Sequence, residues 1–158
     1  MAVTSIADAL RQHLEAQAPI MAFLPGGVWT RPIRRNDNPT AASPTPGSTP
    51  GAFDSAGRIK ACASIEPGIA NFNPAQNHAY WAFPEIHLRC LPHESEKAKL
   101  EDVRRLIIMA IEGQMIRGPS GETLHLRVSG HLGPDDDPII QPAVVTTVTV
   151  QIDSIWKG

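Results

Sequence analysis

Leu100, Val103, Leu106, Ile107, Ala110 and Ile111 recur at three- and four-residue steps between Ser95 and about Gln114. That spacing predicts a helix with a broad apolar stripe along one side. Glu101 stands four residues before Arg105 in the favourable order, and Lys97, Arg104 and Glu112 fill the opposite side. Such a helix has one wet face and one that must be covered, so it requires a sheet beneath it.

The strands to build that sheet are legible by alternation. From Arg58 to Ile65, Ile59, Ala61, Ala63 and Ile65 share one face, against Arg58, Lys60, Cys62 and Ser64. From Pro84 to Leu91, Ile86, Leu88 and Cys90 oppose His87 and Arg89. Period two marks half-buried strands, and these two are expected to pair as a long hairpin. Its loop would run from Glu66 to Tyr80, where Pro67, Gly68, Asn71, Asn73, Pro74 and Asn77 are turn formers, and could project as a finger. Thr123 to Ser129 alternates in the same way, and Val144–Ile152 is rich in Val and Thr, which predicts a second hairpin.

At the other end, Ile6, Ala9, Leu10, His13 and Leu14 predict a first helix from a cap at Thr4 or Ser5 to about Ala18. Ile20, Met21, Phe23 and Leu24 read as a core plug before Pro25-Gly26-Gly27. Val28 to Ile33 reads as a short strand, and Pro32, lacking an N–H, puts it at a sheet edge. Between Asn36 and Asp54 the chain turns to Pro, Thr, Ser, Ala and Gly, with too few apolar side chains to offset ordering. This arm is expected outside the core, either disordered or ordered on a neighbour.

The sum is one α+β domain spanning residues 1–158. It comprises a mainly antiparallel sheet of about four to five strands, two helices packed on one face, and long loop and arm insertions. A hydrophobic fraction of 42% and a length of 158 residues support a core of that size without disulfides. No apolar run is long enough for a membrane span, and no leader pattern precedes the first helix.

Little in the chain points to chemistry. The net charge of −2 provides no basic field for a phosphate backbone, so nucleic-acid binding is not expected. Gly26-Gly27 lacks the Lys-Ser/Thr of a phosphate loop, and hydrolase motifs are absent. Cys62 and Cys90 form no C-x-x-C pair and are read as reduced strand residues. A metal site built from His87, His93, His125 and His131, centred on His87 and His125, is an alternative. Against it, no spacing among these residues sets a coordination geometry. Asp135-Asp136-Asp137 lacks the pattern of a calcium loop and reads as a solvated turn. Glu85 with Glu94, or Glu112 with Glu122, could act as acid and base only in an enclosed pocket. No enzyme activity, cofactor or metal is therefore expected.

Two stretches carry a resemblance. Ile6-Ala7-Asp8-Ala9-Leu10-Arg11-Gln12-His13-Leu14, followed by Phe23-Leu24-Pro25-Gly26-Gly27-Val28-Trp29, resembles the start of tail-terminator and tail-completion (head–tail joining) proteins of long-tailed phages. The following order of hairpin, amphipathic helix and hairpin ending in Val-Gln-Ile-Asp is similar to that family's α+β fold. The arm at 36–54 and the loop at 66–80 are longer than the family's pattern.

The resemblance implies a structural virion protein, assembled in the host cytoplasm. It would form a ring, commonly a hexamer, that caps the tail tube, ends tube polymerisation and joins the tail to the head connector. The implied partners are other copies of the chain, the tail tube protein and the head-completion or connector protein. Another neck or baseplate ring component is the nearest alternative; a small metal-binding protein or enzyme using His87 and His125, or a binding module, belongs to other classes. For the ring, subunit contacts are expected on the edge strand around Trp29 and Arg31, with the arm crossing to the neighbour. Arg34 and Arg35 would meet an acidic patch, Phe53 would anchor the arm, and Phe72 is a further candidate contact residue.

Overall fold

The computed structural model describes residues 2–34, 51–54, 56–68, 70–73 and 79–155. The chain opens with α1 (Ile6–Glu15), whose N-cap Ser5 accepts a hydrogen bond from the Asp8 N–H at 3.0 Å. Asp8 returns the favour by accepting from the Thr4 N–H at 2.9 Å, so the exposed donors of the first turn are satisfied. A short α2 (Ala18–Met21) starts with Pro19 in its first turn and delivers Leu24 into the core. The third helix, α3 (Glu94–Ile111), buries Leu100, Val103, Ile107 and Ile111, the stripe expected of it.

Eight strands among the described residues form one mixed sheet: β1 (Val28–Trp29), β2 (Cys62–Glu66), β3 (Ala70–Asn73), β4 (Ala79–Ala82), β5 (Glu85–Cys90), β6 (Met115–Arg117), β7 (Thr123–Asp136) and β8 (Val144–Ile155). β2 and β5 pair antiparallel, with Cys62 opposite Arg89 and Glu66 opposite Glu85, so the expected hairpin forms. It is longer than its alternating segments, because β3 pairs with β4 beyond them. β8 accepts β5 along residues 144–149 and β4 at residues 152–153 on one side, and β7 on the other.

The two arms of the hairpin are thus bent strands, broken at Pro67-Gly68 and at Phe83-Pro84. The bend requires glycine: a Cβ on Gly68 would lie 1.7 Å from the Phe83 carbonyl oxygen. Much of the expected loop from Glu66 to Tyr80 is therefore sheet. β1 pairs with β2 in parallel, the one exception to antiparallel pairing among the described strands. The sheet exceeds the expected four to five strands because β6 and the β3–β4 extension are too short to alternate visibly.

The helices and one face of the sheet enclose the main core, which includes Leu10, Leu14, Ile65, Ile86, Leu88, Ile107, Leu126 and Val148. A second, smaller core lies on the other side, formed by Trp29, Ile33, Ala52, Phe53, Ile59, Cys62, Ile140 and Ala143. It corrects two expectations. The strand at 58–65 is not half-buried: β2 runs from Cys62 to Glu66, and Cys62 and Ser64 are buried as fully as Ala63 and Ile65. Residues 51–54 are not outside the fold, since the Lys60 N–H donates to the Ala52 carbonyl at 2.8 Å and Phe53 bridges to Ile59. The remainder of the arm expected at 36–54 lies outside the described residues, apart from this end.

Candidate subunit interface

Most of the residues expected to contact a partner sit at the β1 end of the sheet, and the structure separates them. Trp29 is 2% exposed, and its indole N–H donates to the Gly26 carbonyl at 2.8 Å. β1 does lie at the edge of the sheet, but the Trp29 side chain is core, covered by the second cluster, which corrects its expected role as an exposed contact. The Arg31 guanidinium stacks 4.9 Å from the centre of the Trp29 ring and donates to the Pro32 carbonyl at 3.2 Å. Arg34 is exposed beyond it. Phe53 is 1% exposed within its own chain, so it is no free anchor for a neighbour. Phe72 lies on β3 opposite Tyr80. Arg35 lies outside the described residues.

A charged pair that alternation does not reveal sits beneath the second core. Arg89 Nε donates to Asp137 Oδ2 at 2.7 Å, and an Arg89 terminal nitrogen donates to Ser64 Oγ at 2.9 Å. Burial pushes the Asp137 carboxyl up, but the Ile139 N–H, the Arg89 guanidinium and the Ile140 N–H outweigh it and hold the group below the usual carboxylate range. The expectation of a solvated turn at Asp135 to Asp137 is therefore corrected for Asp137, which is fully buried, while Asp135 and Asp136 are exposed. The pair ties β5 to the 137–143 segment, whose Ile140 and Ala143 close the second core. The one sequence signal was a polar residue at the centre of a strand bounded by buried neighbours, and that signal is shared by every half-wet strand.

His87 and His125 do not converge. They lie on β5 and β7, separated by β8, where their partners Thr147 and Asp153 stand six residues apart. That offset alone is about 20 Å along the strand. His87 Nδ1 is 3.1 Å from Thr147 Oγ1. Its Nε2 lies 3.1 Å from Glu66 and 3.3 Å from Glu85, with neither carboxylate aligned as a hydrogen-bond acceptor. Among the described residues no group of three His, Cys, Asp or Glu side chains is arranged to hold a metal ion. Cys62 and Cys90 are free and buried, in the second and main cores respectively.

The opposite end of the sheet is open. β6 covers β7 only from Thr123 to His125, and the backbone of Gln114 and Gly113 extends that cover to Leu126. From Ser129 to Asp136 the outer edge of β7 has no backbone partner among the described residues. Leu132, on this stretch, is 73% exposed.

No protein-family model matches the chain, and no curated protein sequence matches it. Among solved structures, it is similar to a chain in the virion of a native gene transfer agent (GTA) particle. The TM-score is 0.59 at 13% identity, over 95% of this chain and 94% of that one. At that identity the likeness is one of fold, and it extends nearly end to end in both chains.

Proposed function

We propose that this chain is a structural subunit of a phage-like particle, working by shape and surface complementarity rather than by catalysis. The observation that carries the reading is the nearly end-to-end match to a chain of a gene transfer agent virion. The reading is an analogy from a fold shared over 95% of this chain and 94% of that one.

Within that class the reading is a ring, of about six copies, that caps the tail tube, stops its growth and meets the head connector. The order of elements supports it: a first helix, a Gly-Gly turn into an edge strand, a long hairpin, one amphipathic helix and a closing hairpin. Another neck or baseplate ring is the alternative within the same class. The test is native mass spectrometry of the purified protein, alone and with tail-tube ends from its own particle. A closed ring, or a monomer that closes into a ring only on tube ends, supports the terminator role. A monomer that ignores tube ends removes it.

A further inference from the structure

Four strands at the β6 end of the sheet place one row of side chains on the face turned away from the main core. Register sets Trp81 on β4 opposite Asp153 on β8, Asp153 opposite His125 on β7, and His125 opposite Met115 on β6. Their chain neighbours Ala82, Ile152, Leu124 and Leu126 point the other way, into the main core, which fixes the side the row occupies. Trp81 is 40% exposed and Met115 64% exposed, while Asp153 and His125 between them are half-buried. Asp153 Oδ1 is shut off from water and has no hydrogen-bond partner among the described residues. Arg127 stands next along β7, exposed and opposite Gln151 on β8. Gln114, His125, Arg127 and Asp153 line a cavity of about 300 Å³, so the chain itself leaves this part of the face unfilled.

We infer that this face is a two-fold contact between copies of the chain, with the axis running along the strands between β7 and β8. The inference goes beyond the ring reading and does not depend on it, because a two-fold contact closes at two copies. An axis lying in the contact plane exchanges the two sides of the line between β7 and β8, so it lays the row on itself in reverse. Asp153 of one copy then faces His125 of the other, Trp81 faces Met115, and Gln151 faces Arg127. Each meeting is favourable and each occurs twice: a carboxylate with an imidazole N–H, an indole ring with a thioether, an amide oxygen with a guanidinium. The row is apolar at both ends, with an acid and a base at its centre, and that self-match favours a second copy over an unrelated protein. The Cβ–Cγ torsion of an aspartate is soft, so Oδ1 can turn toward the incoming imidazole. Sheets packed face to face keep their strands within about 30° of each other, which an axis along the strands satisfies.

The test is sedimentation and native mass spectrometry of the full chain over a concentration series without tube ends, with thermal melts to confirm folding. Wild type is expected to dimerise reversibly. Met115→Asp alters an exposed position that the core does not use, and is expected to dimerise at least about ten-fold more weakly. His125→Asp sets carboxylate against carboxylate, and Asp153→Lys sets a cation against the imidazole; each alone is expected to weaken the dimer by a similar factor. An equal mixture of these two is expected to recover it as a mixed dimer, because the introduced carboxylate then faces the introduced ammonium and the retained Asp153 faces the retained His125. A fault confined to one chain would not be repaired by mixing. A wild type that stays monomeric at every concentration, single variants that dimerise as well as wild type, or a mixture that does not recover would each overturn the contact. The ring reading is judged separately, by assembly on tube ends: its failure leaves a wild-type dimer standing, and a ring built by a chain with no two-fold dimer leaves the ring without this contact.

Discussion

Arg89 Nε and Asp137 Oδ2 are 2.7 Å apart with both side chains closed off from water, and this pair joins the middle of the sheet to the segment that caps the second core. Removing one partner strands the other in a dry site, at a cost of about 3–5 kcal/mol. Arg89→Met and Asp137→Leu are each expected to lower the unfolding free energy, obtained from urea denaturation, by that much. The double variant is expected to lose less than the sum, and a double-mutant cycle in urea measures the difference.

Acid should act through the same carboxylate. The Asp137 carboxyl is held below its usual range in the folded chain, and so is Asp8. For Asp8, burial raises the value, but hydrogen bonds from Thr4 and Arg11 outweigh it. A folded value below the unfolded one, roughly 4, adds stability that is complete above that pH and is lost as pH falls through the folded value. Urea midpoints for wild type are therefore expected to fall from about pH 4 downward. Asp137→Asn, already weaker at neutral pH, should fall less over the same range.

The bend in the long hairpin rests on Gly68. A methyl group there would collide with the Phe83 carbonyl, which is backbone and cannot rotate away. Gly68→Ala is expected to destabilise by about 1–3 kcal/mol, read from the thermal or urea midpoint. Hydrogen exchange should show the loss concentrated in β3 and β4.

Burial pushes the Cys62 thiol up to about 12 and the Cys90 thiol up to about 11. Neither forms an appreciable thiolate near pH 8, and neither thiol is reached by solvent. A thiol-specific reagent is expected to label neither in the folded protein and both in urea; rapid labelling of native protein at Cys62 would mean that the second core opens readily.

The helices and the hairpins were legible in the sequence because each repeats its own period over many residues. The stripe from Leu100 to Ile111 and the alternation from Ile86 to Cys90 depend only on backbone geometry and on which side faces oil. The α+β class follows from their order. What tertiary structure decided is whatever depends on a second layer. Alternation shows that one face of a strand is apolar, but it does not show whether the polar face meets water. Here residues 51–54 and 137–143 cover that face, so Trp29 and Phe53, expected as anchors for a neighbour, became core, and Arg89 and Asp137, expected in water, became a buried pair. Those contacts join positions 48 residues apart between Arg89 and Asp137, and no local pattern encodes such a distance.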